Sequence, residues 1–407
     1  MPSQSLCRPS STKVSLNCNC LPLHRTTNST KKQQTSKHHP PPMSKIPTVQ
    51  GIPIPPITSA DTDPVPKKKP SKAKDATGAP PSRWYLKMTA GFWRSLQVVG
   101  MSLHYLAPPR PPNPSFSKTI PSTISKSKGD FKLHFYTPKS YTGASKSGKR
   151  YPAVVNFHGG GFTLGNATDD ARFGRFVLDT CDALFICVDY RLAPEFPFPT
   201  AVDDGADALL YLVRHADELH IDASRLATSG FSAGGNIAIT APLRLTAHLK
   251  TLPQPTTAHR IRAVATWYPI TDYTLSRAER RATAVRPDQT LPPTLTNLFD
   301  ASYLFPPDLD LGDPFLSPSR ASDAMLAEGI PDTVVFYTCE WDMLLREGEE
   351  LATRLGKPPV GKTVHYKMIP EVPHGWDKSP DPLRPAAGSG ELYAECCGIL
   401  RDVFEGE

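Results

Sequence analysis

Up to about residue 82 the apolar positions are scattered without period. From there on they fall into short runs that alternate with stretches of three-to-four-residue periodicity. Residues 131–136 alternate apolar and polar side chains, which predicts a strand with one exposed face. Residues 153–157 form a compact apolar run ending in glycines, as a buried parallel strand does. A helix is predicted over 169–182, starting near Asp169 or Asp170, then a strand at 184–188. A helix at 201–215 follows, its apolar face carrying Ala206, Leu209, Leu210 and Val213. The rhythm continues with strands at 225–230, 261–267, 333–338 and 364–369, and with helices at 236–248, 344–355 and within 391–404. Strands alternating with helices imply an α/β protein whose mostly parallel sheet is covered on both faces. Residues 275–330 break the rhythm and read as an excursion above the sheet with short helices of its own.

The longest apolar stretch, 88–106, contains Arg94 and His104, so a bilayer span would bury charge. Trp93, Leu96, Val98, Val99 and Leu103 instead predict an amphipathic helix packing those residues on the body, with weak peripheral membrane contact as the lesser reading. No transmembrane span is expected.

Composition changes the picture mainly at the N-terminus. Only 39% of the 407 residues are apolar and 45 are proline. Fourteen prolines, twelve Lys/Arg and three Asp lie in the first 80 residues. Such a segment buries too little apolar surface to offset its ordering entropy, so residues 1–81 read as a disordered basic tail and 82–407 as the folded domain. The tail accounts for the net charge of +7, because the remainder is slightly acidic. A nucleic-acid role has no basic reading surface behind it. A cytoplasmic location is expected, with nuclear import through the 66–70 Lys/Pro run or organellar targeting as alternatives. Cys7, Cys18 and Cys20 lie in the tail and lack a second ligand pair for zinc. Cys181, Cys187, Cys339, Cys396 and Cys397 read as buried free thiols. No metal or organic cofactor is expected.

The chemistry centres on Gly230-Phe231-Ser232-Ala233-Gly234, between a predicted strand and a predicted helix. A serine hydroxyl becomes a nucleophile when a sharp strand-to-helix turn exposes it beside a base, and that turn admits only small flanking residues. Upstream, His158-Gly159-Gly160-Gly161-Phe162 follows a strand end, where glycines let backbone N–H groups face a developing oxyanion. Gly159, Gly160 and Ala233 are the expected donors. Ser232, Asp342 and His374 occur in the Ser…Asp…His order of this arrangement, each just after a predicted strand. Glu340 is the rival acid, His365 reads as structural, and His215, His220 and His248 as solvated. Phe162 and Trp376, beside these motifs, are candidate pocket residues.

Together with Asp189-Tyr190-Arg191-Leu192-Ala193-Pro194-Glu195, Asp342-Met343-Leu344, Glu347-Gly348 and His374-Gly375, these motifs make the chain from about Trp84 onward resemble the hormone-sensitive lipase family of α/β-hydrolases. The family often has Asp where this chain has Phe231. The resemblance implies an α/β-hydrolase fold, a helical cap from 82–110 and 275–330, and a bracing role for Asp189, Arg191 and Glu195. It implies a serine carboxylesterase acting on short to medium acyl esters through an acyl-enzyme on Ser232. Lipase, amidase and deacetylase activities share that triad. Gibberellin receptors of the same family are non-catalytic and lack the histidine that this chain keeps at 374. Oligomeric state is not legible.

Overall fold

The computed structural model describes residues 81–253 and 258–406; the tail expected over residues 1–81 lies outside them but for Pro81. In chain order the elements are α1 (Arg83–Leu106), β1 (Phe116–Pro121), β2 (Asp130–Tyr136), α2 (Ala144–Ser147), β3 (Tyr151–Phe157) and α3 (Ala171–Cys181). Then come β4 (Leu184–Asp189), α4 (Thr200–Arg214), β5 (Ile221–Phe231), α5 (Ala233–Leu249), β6 (Ile261–Trp267), α6 (Arg277–Ala282) and α7 (Pro293–Tyr303). The chain finishes with α8 (Asp323–Gly329), β7 (Thr333–Cys339), α9 (Leu345–Gly356), β8 (Thr363–Ile369) and α10 (Ser389–Glu405).

The eight strands form one sheet in the order β1-β2-β4-β3-β5-β6-β7-β8. β1 and β2 run antiparallel; from β4 to β8 every pairing is parallel. Successive side chains point to opposite faces, so Val155 joins a core with Leu209 of α4 and Ile237 of α5, while Val154 joins one with Phe173 of α3 and Leu400 of α10. The fold class is the α/β arrangement expected. Register aligns the carboxyl ends: Phe157 pairs with Gly230, Phe231 with Trp267 and Cys339 with Ile369. Loops leaving β3, β5, β7 and β8 therefore emerge along one edge, where open α/β sheets bind ligands. The five cysteines of the body are buried free thiols.

Two features differ from the sequence reading. β1 has no clear apolar signature, because an edge strand with Ser117, Lys118 and Thr119 in a row between Phe116 and Ile120, and ending in proline, presents little to bury. The second difference concerns α1. A helix is present, capped by Ser82 accepting from the Tyr85 N–H, but it is turned over. Leu96, Val98, Val99 and Leu103 are exposed and Trp93 half-buried, whereas Leu86, Ala90, Met101 and His104 face inward. The inward face is mixed, and its polar members dock where the surface beneath them is main chain. Arg94 donates to the Thr163 and Ala193 carbonyls at 2.9 and 2.8 Å, and Tyr105 to the Thr168 carbonyl.

Candidate active site

β5 delivers Ser232 at a left-handed turn, φ 55° and ψ −117°, immediately before α5. The Ser232 N–H donates to the Trp267 carbonyl at 2.8 Å, and its carbonyl accepts from Asn236 N–H at 3.1 Å. A Cβ on Gly230 would strike the Gly234 carbonyl, and one on Gly234 would strike the carbonyl oxygens of Phe157 and His158. Both flanking glycines are thus required by backbone contact with the turn and the neighbouring strand.

His374, in the loop after β8, lies with Nε2 2.7 Å from Ser232 Oγ and Nδ1 2.5 Å from Asp342 Oδ2. Those partners set the tautomer: Nδ1–H donates to the carboxylate, leaving Nε2 to accept from the hydroxyl. Asp342 is buried and its other oxygen accepts from the Leu344 N–H at 3.1 Å. Glu340 turns away and accepts from the Glu371 N–H; His365 lies exposed on β8.

The glycine loop runs alongside. A Cβ built on Gly159 would stand 3.5 Å from the Ser232 Cβ. Among the described residues, the N–H groups of Gly159, Gly160 and Ala233 donate to no other backbone or side-chain group. Free donors clustered at a nucleophile are what an incoming oxyanion requires. Below the loop, His158 stacks on Tyr190 at 4.3 Å and its carbonyl accepts from the Tyr190 hydroxyl at 2.8 Å. Above it lies α7. Gly161 has no Cβ because the Phe299 ring occupies that space, and Phe162 stacks on Tyr303 at 3.9 Å. Phe162 is fully buried in that stack, and Trp376 is half-buried against the core on the α3/α10 side.

Of the three residues read as braces, Arg191 makes a buried bidentate pair with Asp204 of α4 and reaches Ser122 and Ser127, so it ties the loop after β4 to the body. Glu195 pairs instead with Arg94 of α1.

The sequence reading missed a network behind the histidine. Tyr268 stands edge-on to the His374 ring, centroids 4.9 Å apart, and its hydroxyl donates to buried Asp377. Tyr393 donates to the other Asp377 oxygen. Lys378 places its ammonium 2.9 Å from both Asp377 and Asp170 and 3.6 Å from the Phe231 ring centroid. Burial opposes the charge of Lys378, but Asp170 and Asp377 outweigh it and hold its pKa well above the ordinary lysine value. Phe231 also stacks on Trp267 at 5.4 Å. The residue before Ser232 is thus held between an indole and an ammonium. The only sequence signal was that Lys378 and Asp377 lie within four residues of His374.

Residues 154–378 match a family model described as alpha/beta hydrolase fold. An arylesterase of Saccharolobus solfataricus is 31% identical over 254 residues, 62% of this chain and 75% of that protein. Carboxylesterase NlhH of Mycobacterium tuberculosis is 33% identical over 227 residues, 55% of this chain and 66% of its own length. A solved esterase of Pyrobaculum calidifontis superposes with a TM-score of 0.62 at 25% identity, covering 78% of this chain and 93% of that one. By its sheet, its motif order and these likenesses, the chain belongs to the α/β-hydrolase family, in the hormone-sensitive lipase group.

Proposed function

We propose that the protein is a serine carboxylesterase in which Ser232 attacks, His374 carries the proton and Asp342 orients the imidazole. The observation that carries this reading is the continuous relay from Asp342 through His374 to Ser232 at 2.5 and 2.7 Å, beside three undonated N–H groups. The Ser232 oxygen forms a bond to the ester carbonyl carbon as its proton passes to His374 Nε2. The carbonyl oxygen becomes an oxyanion facing Gly159, Gly160 and Ala233. Collapse breaks the bond to the alkoxy oxygen, which leaves as alcohol with the proton from His374. Water then adds to the acyl-enzyme by the same route and releases the acid.

α1, α6 and α7 serve as the cap. Arg277 of α6 holds Asp300 of α7 through two hydrogen bonds at 2.9 and 2.6 Å. Buried Arg280 ties α6 to Glu347 of α9 at 2.5 Å. Arg83 of α1 reaches the Ser302 carbonyl at 3.1 Å. With α7 lying on the glycine loop, the cap favours short to medium acyl chains.

The test is hydrolysis of p-nitrophenyl esters from acetate to palmitate. Activity is expected to peak at the shorter chains. Ser232→Ala should abolish turnover, and Asp342→Asn should lower kcat by about 10⁴-fold through loss of the working tautomer. Hydrolysis that survives Ser232→Ala would overturn the mechanism.

A further inference from the structure

Among the described residues, nine of the thirteen large hydrophobic side chains that stay exposed belong to α1; the other four are scattered singly. They are not random along the helix. Trp84, Met88, Phe92, Leu96, Val99 and Leu103 follow one another at spacings of three and four, making an unbroken outward stripe about 30 Å long. Trp84 is 70% exposed, Phe92 64% and Val99 58%. A contiguous apolar surface of this kind marks a docking site, whereas single exposed leucines need no explanation.

The flanking charge says what docks there. The chain leading into α1, residues 66–82, carries five lysines (67, 68, 69, 72 and 74) and a single aspartate. α1 itself has no acidic residue, and exposed Lys87 adds a further cation. A second copy of the chain would meet this stripe with more charge of the same sign. An anionic lipid surface complements it, and Trp84 and Tyr85 at the helix start suit the boundary between headgroups and acyl chains.

We propose that α1 docks the protein on anionic lipid surfaces, its apolar stripe entering the acyl boundary, with the positive charge of the sequence before it supplying the preference for anionic lipid. The two signals reinforce each other, since either alone gives only weak, reversible binding. The helix also clamps the glycine loop through Arg94 and Gln97, so docking holds the site beside the lipid layer. That consequence rests on the esterase reading; the docking does not.

The experiment is co-sedimentation of the full chain with phosphatidylcholine vesicles, with and without phosphatidylserine. Binding is expected only with phosphatidylserine and should weaken several-fold in high salt. The double variant Phe92→Gln/Leu96→Gln should lose at least about tenfold in partitioning. Replacing the five lysines by glutamine should remove the salt dependence. Hydrolysis of p-nitrophenyl acetate is measured in parallel and should match wild type in both variants, so failure of docking and failure of the esterase reading are distinguishable. Three results would overturn the docking: no wild-type binding to either vesicle, unchanged partitioning of the Phe92/Leu96 variant, or a wild-type dimer that this variant turns into a monomer without any vesicle binding.

Discussion

Lys378→Met removes one cation from a site that holds two buried carboxylates. Asp170 and Asp377 are inaccessible, and each stands 2.9 Å from the ammonium. The Asp170 contact is an ion pair without hydrogen-bond alignment, so its attraction is electrostatic. At that distance, and at an effective dielectric of about 20, each contact is worth about 6 kcal/mol before desolvation is subtracted. Breaking a buried pair by removing one partner costs a net of about 3–5 kcal/mol. Unfolding entropy of about 2.1 cal/mol/K per residue over the body makes each kcal/mol about 1.5 °C, so the melting temperature should fall by roughly 4.5–7.5 °C.

The sign with pH is fixed by Asp377. Burial raises its pKa, but Lys378 and the two tyrosine hydroxyls more than offset that, leaving it below the usual carboxylate range. Its stabilisation is therefore present above the unfolded value and lost as pH falls through the folded one. In Lys378→Met burial is no longer offset by the cation, so the buried carboxyl takes up its proton well before the pH reaches the ordinary carboxylate value, and the gap between wild type and variant, widest near neutral pH, should narrow toward about pH 4. Thermal unfolding from pH 4 to 8 measures it, and adding Asp377→Asn to Lys378→Met should recover part of the loss. A variant whose melting temperature stays within about 1 °C of wild type at pH 7, or whose deficit is the same at every pH, refutes the reasoning.

Asp169 is pushed up to about 7, chiefly by burial and then by neighbouring Asp170. Wild-type stability should fall as pH rises from about 4 through 7, at about 1.4 kcal/mol for each unit by which the carboxyl is raised. Asp169→Asn keeps an acceptor for the Asn166 N–H and the Gln97 amide and should flatten the profile of melting temperature against pH; parallel profiles would refute this. Gly160 has φ +110°, and a Cβ there would strike the Leu164 carbonyl, so Gly160→Ala should displace the donor and lower kcat by about 10²–10³-fold with little change in KM. Gly91→Ala, in open space on α1, is the control: activity unchanged, and stability raised by up to about 1 kcal/mol in chemical denaturation.

What was legible in the sequence was whatever depends on local order along the chain. Leu184–Asp189 and Ile261–Trp267 read as strands because both faces are buried and the runs are nearly all apolar. The elbow read because its two glycines are demanded by contacts within five residues of each other and with the adjacent strand end. The Tyr268–Asp377–Lys378–Phe231 cluster did not read. Its members come from the ends of β5 and β6 and the loop after β8, and no spacing encodes their meeting. Phe231, a departure from the family pattern in the sequence, belongs to that cluster: the ammonium of Lys378 lies over its face.

On the proposed esterase mechanism, the packing of α1 follows from what the glycine loop must do. Glycines let the loop approach Ser232, yet the same freedom works against donors that have to be aimed before the substrate arrives. Stiffness therefore has to come from outside the loop. Tyr190 supplies it from below and Phe299 and Tyr303 from above. On the third side, Gln97 both accepts from the Gly165 N–H and donates to Asp169, while Arg94 holds the Thr163 carbonyl. Only polar side chains can satisfy exposed main-chain groups in this way. A helix recruited for that purpose must turn Arg94 and Gln97 inward, and the opposite side, with Phe92, Leu96 and Val99, is then left facing out. Hydrophobic periodicity picked out apolar positions of α1 such as Leu96, Val99 and Leu103 but carries no information on whether they meet the body or the outside. The exposed stripe and the stiffened glycine loop are two sides of one packing choice.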